Sequence, residues 1–420
     1  MPVVFLIVSI IGLLFTINAF RPLRVEVLSV PAFFAGWLTS ELPMHHLVWQ
    51  MVATALFVAG GALDDWPGLV GLGLTVISWC GLVVLVVQAS RAGAVVEAAL
   101  QETLGDDYRA AMAPELCDDD DRVLRWERLV LPIRTRDPEV EKVRDIDYAG
   151  NGRRSQRLDV YRNRSHPEGC PVFLYIHGGG WIIGDKREQG IPLMLQLASR
   201  GWVCVTANYA LSPKATFPDH LIDVKRALAW VKEHIGEYGG DPGYVVISGG
   251  SAGGHLSSLA ALTPNRAEYQ PGFETVDTTV QACVPFYGVY DFTNRDGIRG
   301  RGMGKFLERA VMKSKLATSR EAWERASPMD EVNEGAPPFF VVHGANDTLV
   351  PVAEARRFVQ LLRASSHAPV VYAELPGAQH AFEIFRSVRT LHVVRGTERW
   401  LAWAYGTRAG ETPHPRVIRA

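Results

Sequence analysis

The stretch Ser248-Gly249-Gly250-Ser251-Ala252-Gly253-Gly254 decides the fold. It follows the apolar run Val245-Val246-Ile247. It precedes His255-Leu256-Ser257-Ser258-Leu259-Ala260-Ala261-Leu262, which reads as a helix. Strand, Gly-x-Ser-x-Gly, helix is the setting of a nucleophile elbow. A serine on so sharp a turn sits in a strained backbone conformation, and a Cβ at Gly249 or Gly253 would crowd the neighbouring strand or helix. The helix start also aims free N–H groups and a positive dipole end at the serine hydroxyl. On the motif alone, a glycine-rich strand-to-helix turn of some other α/β protein reads as well, so the surroundings must decide.

Those surroundings begin at His177-Gly178-Gly179-Gly180-Trp181, after the strand-like Val172-Phe173-Leu174-Tyr175-Ile176. Glycines there let the backbone approach a bound molecule and turn its N–H groups inward, as in loops that build an oxyanion hole. Two further segments follow in chain order: His343-Gly344-Ala345-Asn346-Asp347 and Gly377-Ala378-Gln379-His380-Ala381-Phe382.

With these four pieces in this order, the chain resembles the α/β-hydrolase esterases and lipases of the hormone-sensitive-lipase-like group. The resemblance runs from about residue 140 to 405 and is nearest to actinobacterial Lip-type esterases with a hydrophobic N-terminal region. Many members of the group carry an acidic residue just before the nucleophile, where this chain has Gly250. The resemblance implies a mostly parallel, doubly wound sheet and hydrolysis of carboxylic esters, small-molecule or lipid, without a metal or organic cofactor.

It also implies a division of labour. A serine hydroxyl needs a base to take its proton, and the base must itself be oriented. Ser251 is the expected nucleophile and His380 the base, in the order Ser, Asp, His that this fold uses. Asp347 is the expected acid, with Asp291 and Glu383 as alternatives. His255 is nearer Ser251 in sequence but lies one turn into the elbow helix and reads as structural. The oxyanion is expected against the N–H groups of Gly179, Gly180 and Ala252, donors whose removal typically costs about 3–4 kcal/mol in the barrier.

Strand-like apolar runs near 171–176, 202–207, 244–248, 280–286, 338–342 and 369–375 alternate with helical patterns, as a doubly covered parallel sheet requires. Strands near 140–148 and 156–162 read as an antiparallel opening. Leu221, Val224, Leu228, Val231 and Ile235 recur at helical spacing. Asn208-Tyr209-Ala210-Leu211-Ser212-Pro213 resembles a loop that braces the site in this group. Residues 292–335 break the rhythm and read as part of a cap, within a hydrolase domain spanning 136–406.

The first ninety residues are poor in charge. Runs at 3–20, 45–63 and 67–89 are expected to be transmembrane spans, and 25–40, with Glu26 and Pro31, an interfacial or re-entrant piece. A connector at 91–135 reads as helical from Arg91 through Leu104 and contains the solvated acidic run Asp118 to Asp121. His45 and His46 read as interfacial residues rather than a metal pair. The segment 407–420 reads as a flexible tail.

The net charge of −2 supplies no basic field for nucleic acid. The five cysteines form neither a CxxC nor a zinc spacing and read as free thiols. Three other readings stay in view: a peptidase of the same fold, a non-catalytic ligand-binding membrane protein, and a transporter or membrane scaffold. Arg21, Arg24 and Arg91 flank the spans on the side of the hydrolase domain, which places that domain in the cytoplasm.

Overall fold

The structure, a computed structural model, describes residues 1–25, 28–117, 126–133 and 135–408. The acidic run at 118–121 and the tail beyond 408 lie outside them. The chain opens with four apolar helices: α1 (Pro2–Phe20), α2 (Ser29–Glu41), α3 (Pro43–Ala59) and α4 (Trp66–Ser90). Pro43 occupies the first turn of α3, where a missing N–H costs nothing, and the chain bends there by 91°. Gly60 and Gly61 end α3, so the run expected over 45–63 is helical only to Ala59. Asp65 caps α4 by accepting from the Trp66 N–H at 2.7 Å. Two described helices, α1 and α4, are long and apolar enough to cross a membrane, and a third crossing is counted if the bent α2–α3 pair is one span.

Small and hydroxylated residues bring these helices together. A Cβ on Gly71 would stand 3.1 Å from the Leu6 Cα, and one on Gly81 would strike Thr16. Thr16 and Ser78 share a 2.8 Å hydrogen bond, and Ser78 donates to Gln50 at 3.1 Å. The starts of α1 and α4 are therefore neighbours, as are their ends, and the two run parallel. Helix α3 returns alongside them, since Gly60 at its end meets Met1.

Helix α5 (Ala92–Leu104) lies in the stretch expected to be a connector. Its buried stripe Ala92, Val96, Ala99 and Leu100 follows helical spacing and joins the hydrophobic core. Val96 fills the space over Gly396, where a Cβ would not fit.

After α6 (Trp126–Val130) the sheet begins, with β1 (Val140–Asp147), β2 (Arg157–Asn163) and β3 (Cys170–Ile176). Then come α7 (Ile191–Ser199), β4 (Val203–Ala207), α8 (Asp219–His234), β5 (Gly240–Gly250), α9 (Ala252–Leu262) and β6 (Ala282–Phe286). Short α10 (Arg301–Phe306) and α11 (Arg320–Arg325) lie in the insert, before β7 (Phe339–Gly344), α12 (Val352–Ser365), β8 (Val370–Leu375) and α13 (Val388–Gly406). The strand order is β1-β2-β4-β3-β5-β6-β7-β8. The β1–β2 and β2–β4 pairs are antiparallel and the rest parallel.

Every residue of β3 is buried, as a strand covered on both faces must be. Val172, Leu174 and Ile176 join the core that holds α8, α9 and α12. Phe173 and Tyr175 join the core that holds α5, α7 and α13. The period of two thus divides one apolar strand between two layers. This arrangement fits the α/β-hydrolase fold, and it puts the ends of β3, β5, β6, β7 and β8 along one edge.

Candidate active site

At that edge, Ser251 occupies the turn between β5 and α9 with φ 57° and ψ −119°. This is a conformation that L residues rarely adopt, held by the Ser251 N–H donating to Phe286 O at 3.0 Å. A Cβ on Gly249 would come within 2.5 Å of Gly253 backbone, and one on Gly253 within 2.0 Å of Ile176 O. Both glycines are therefore demanded by close approach of β3 and α9 to the turn.

His380 follows β8 and is buried. Its Nδ1 lies 2.6 Å from Oδ2 of Asp347, which follows β7. The other carboxylate oxygen of Asp347 accepts from the N–H groups of Leu349 and Val350 at 2.9 and 2.8 Å. His343 Nε2 lies 3.3 Å from Oδ2 as well as 2.9 Å from Val350 O. Burial alone would raise the Asp347 pKa, but His380 and His343 outweigh it and hold the carboxyl well below its ordinary range. The alternative acids are engaged elsewhere. Asp291 accepts from Thr293 and from the Arg295 N–H. Glu383 takes the hydroxyls of Tyr175, at 3.0 Å, and Tyr287.

Tyr287 comes directly after Phe286 and places its ring 4.5 Å from the His380 ring. Ser251 and His380 thus meet the same short segment, although no hydrogen bond joins them among the described residues. Such bonds often tighten only when substrate is bound.

The loop after β3 stands on the other side of Ser251. A Cβ on Gly178 would lie 3.0 Å from the Ser251 Cβ. Gly179 and Gly180 have φ of 105° and 59°, and Gly179 O accepts from both Ile182 and Ile183 N–H at 3.1 Å. The N–H groups of Gly179 and Gly180, and that of Ala252 at the start of α9, have no partner among the described residues. Gln189 fixes the loop by accepting from Gly178 N–H at 2.7 Å. The segment after β4 braces it: Tyr209 hydroxyl donates to His177 O at 3.1 Å, and Ser212 N–H to Trp181 O at 2.8 Å.

His255 faces away from this centre. It accepts from Trp181 Nε1 at 3.3 Å and binds Ala326 O at 2.7 Å. The insert approaches from above the loop, with Phe306 3.8 Å from where a Cβ of Gly180 would be.

Sequence reasoning missed the apolar helix that completes the surroundings. Phe33 of α2 sets its ring edge-on to His380, 6.1 Å between centroids. Trp37 Nε1 donates to Ala381 O at 2.9 Å. Nothing local in the sequence signals these contacts. Gln379, which accepts from the N–H groups of Thr348 and His380 at 2.8 and 3.0 Å, was also unmarked.

Known proteins resemble the chain over most of its length. The BD-FAE family profile matches residues 158–362. The chain is 44% identical to the probable carboxylic ester hydrolase LipM of Mycobacterium tuberculosis, over 98% of this chain and 96% of that one. It is 41% identical to esterase LipQ of the same organism, over 90% of this chain and 85% of that one. A solved structure of inhibited esterase B from Lactobacillus rhamnosis superposes with a TM-score of 0.55 at 19% identity, over 64% of this chain and 88% of that one. That last likeness bears on the fold alone.

Proposed function

We propose, for a chain that belongs to the Lip carboxylic ester hydrolases, that catalysis runs through an acyl-Ser251 intermediate. The protein is a hydrolase of carboxylic esters. His380 Nε2 takes the proton as Ser251 Oγ attacks the ester carbonyl. Asp347 holds the imidazole in the Nδ1–H tautomer and stabilises the imidazolium that forms. The N–H groups of Gly179, Gly180 and Ala252 receive the oxyanion. Collapse expels the alcohol with the proton from His380, and water then attacks the acyl-serine with the same histidine as base. The observation that carries this reading is the 2.6 Å contact of His380 with Asp347 at the sheet edge where Ser251 takes its strained turn.

We propose further that α1, α3 and α4 cross a bilayer and α2 lies in its interface, with the hydrolase domain of 136–406 on the cytoplasmic side. The insert at 292–335 acts as a partial cap. Phe306 beside Gly180 supports that role.

A chromogenic ester assay on the full chain in detergent tests the mechanism. Ser251→Ala is expected to remove hydrolysis down to the residual rate left by binding and the oxyanion hole. A fluorophosphonate is expected to label Ser251 alone. Full activity in Ser251→Ala, or cleavage of peptides but not esters, overturns it.

A further inference from the structure

Helix α2 has two apolar faces, and only one serves the fold. Phe33, Gly36 and Trp37 face the loops that carry Asp347 and His380. Trp37 also packs on Phe385 at 4.8 Å. Val30, Phe34 and Leu38, spaced four apart and thus one above another on the helix, are 52%, 53% and 39% exposed.

Several bonds fix the helix in this position. Thr348 hydroxyl donates to Ser29 O at 3.4 Å, and Asn18 Nδ2 at the end of α1 to Ala32 O at 2.8 Å. At the other end, buried Glu41 pairs with Arg389 and accepts from Ser387 at 2.8 Å. A buried ion pair of this kind is costly to break, so α2 is a fixed part of the site's wall.

The exposed stripe is continuous with the helices proposed to cross the bilayer. Helix α3 leaves α2 at 91°, and α1 and α4 end on the hydrolase side beside it. A helix lying across the ends of such a bundle, with an apolar outer face, belongs in the membrane interface. Its inner face then sets His380 about one helix diameter, roughly 10 Å, from lipid. A second exposed apolar element flanks the centre from the opposite side. Ile182 and Ile183 are 38% and 66% exposed on the turn that closes over Gly179.

We propose that this site draws its ester from the bilayer: the substrate is a membrane-resident ester with a long hydrocarbon chain. Val30, Phe34 and Leu38 seat α2 in lipid. The ester group reaches Ser251 between the α2 wall at His380 and the Ile182–Ile183 turn, while the far end of the chain stays among the lipid tails. Withdrawing such a chain wholly into water would expose every methylene, and the lateral route avoids that. The inference rests on the serine-esterase reading above.

The test uses the full chain in phosphatidylcholine vesicles with two probes, water-soluble p-nitrophenyl butyrate and 4-methylumbelliferyl palmitate dissolved in the vesicles. In the variant Phe34→Glu/Leu38→Glu, on the face away from His380, KM for palmitate in surface concentration is expected to rise about tenfold at unchanged kcat. Butyrate hydrolysis is expected to stay within about twofold, and Phe34→Leu to retain the parent KM for palmitate. An unchanged KM for palmitate in the charged variant overturns the inference. So does a proportional loss on both probes, which would make α2 a structural support only. Parent enzyme that cleaves butyrate but not vesicle-borne palmitate also overturns it while leaving the esterase reading intact. Failure on both probes strikes the esterase reading itself.

Discussion

Nδ1 of His380 lies 2.6 Å from Oδ2 of Asp347, across thirty-three positions of chain. The bond joins the loops after the last two strands of the sheet. The second oxygen of Asp347 is held by two backbone N–H groups, so the carboxylate cannot turn away. An amide at this position would offer the imidazole the wrong partner and favour the wrong tautomer. Asp347→Asn is therefore expected to keep the parent melting temperature to within a few degrees and to lower kcat by about 10⁴-fold, as in the serine-protease template. Asp291→Asn is expected to leave kcat near the parent value. Steady-state kinetics on both variants check the assignment, and the reverse pattern would give the acid's role to Asp291.

Gly250 stands where many resembling enzymes carry an acid, and the structure supplies a reason for the glycine. A Cβ there would lie 2.6 Å from the Tyr287 hydroxyl and 3.1 Å from that of Tyr175. Those hydroxyls hold Glu383, whose carboxyl burial pushes above its ordinary range. Gly250→Asp would thrust a second carboxyl against this cluster. It is expected to cost about 3 kcal/mol of stability, read as a lowered urea midpoint. An unchanged midpoint would mean that the cluster yields freely.

The sequence made the centre legible where the chemistry needs a backbone motif. Ser251 needs Gly249 and Gly253 because β3 and α9 press on the turn, and Gly179 and Gly180 need positive φ. These demands are local and leave a local signature. Asp347 was harder, since Asp291 and Glu383 also follow strands, and only the sheet order brings Asp347 to His380. Helix α2 was illegible as part of the site. Its contacts with Ala381 and Arg389 span more than three hundred positions, and an apolar helix near spans reads the same whether or not it touches a histidine. Helix α5 was legible as a helix, but its place after the last candidate span gave no sign that it packs into the hydrolase core.

Three buried histidines contribute to how stability depends on pH. His255 uses both ring nitrogens, one accepting from Trp181 Nε1 and the other bonded to Ala326 O, and burial lowers its pKa to about 3. His177 and His220 each bury one nitrogen that has no partner among the described residues, and burial lowers both to about 4. Below pH about 6.5 the unfolded chain binds protons that the folded chain refuses, and each tenfold difference in proton affinity is worth about 1.4 kcal/mol. The histidines' contribution is thus expected to be flat above pH 7 and to fall as pH drops from about 6.5 to about 4. Urea unfolding in detergent at a series of pH values checks this. His255→Asn is expected to remove one proton's share of the slope, and an unchanged slope would show that His255 does not contribute.

The last prediction concerns the side of the membrane. Helices α1 and α4 run parallel and α3 returns between their ends, so the α1–α2 connection and the hydrolase domain share one side. Arg24 supports this by donating to Ala345 O at 3.4 Å, and Asn346 Nδ2 by reaching Phe20 O at 3.3 Å. That side holds Arg21, Arg24 and Arg91, while the other holds Asp64 and Asp65 and no lysine or arginine. Basic residues beside spans are retained in the cytoplasm, so the domain is expected there. A variant with its five native cysteines replaced and Thr412→Cys added, checked first for ester hydrolysis, supplies a single reporter thiol. A membrane-impermeant maleimide is expected to leave it unlabelled in intact cells and to label it after permeabilisation. Labelling in intact cells would put the domain outside. The arginines beside the spans would then face the exterior, against the charge bias from which the orientation is argued.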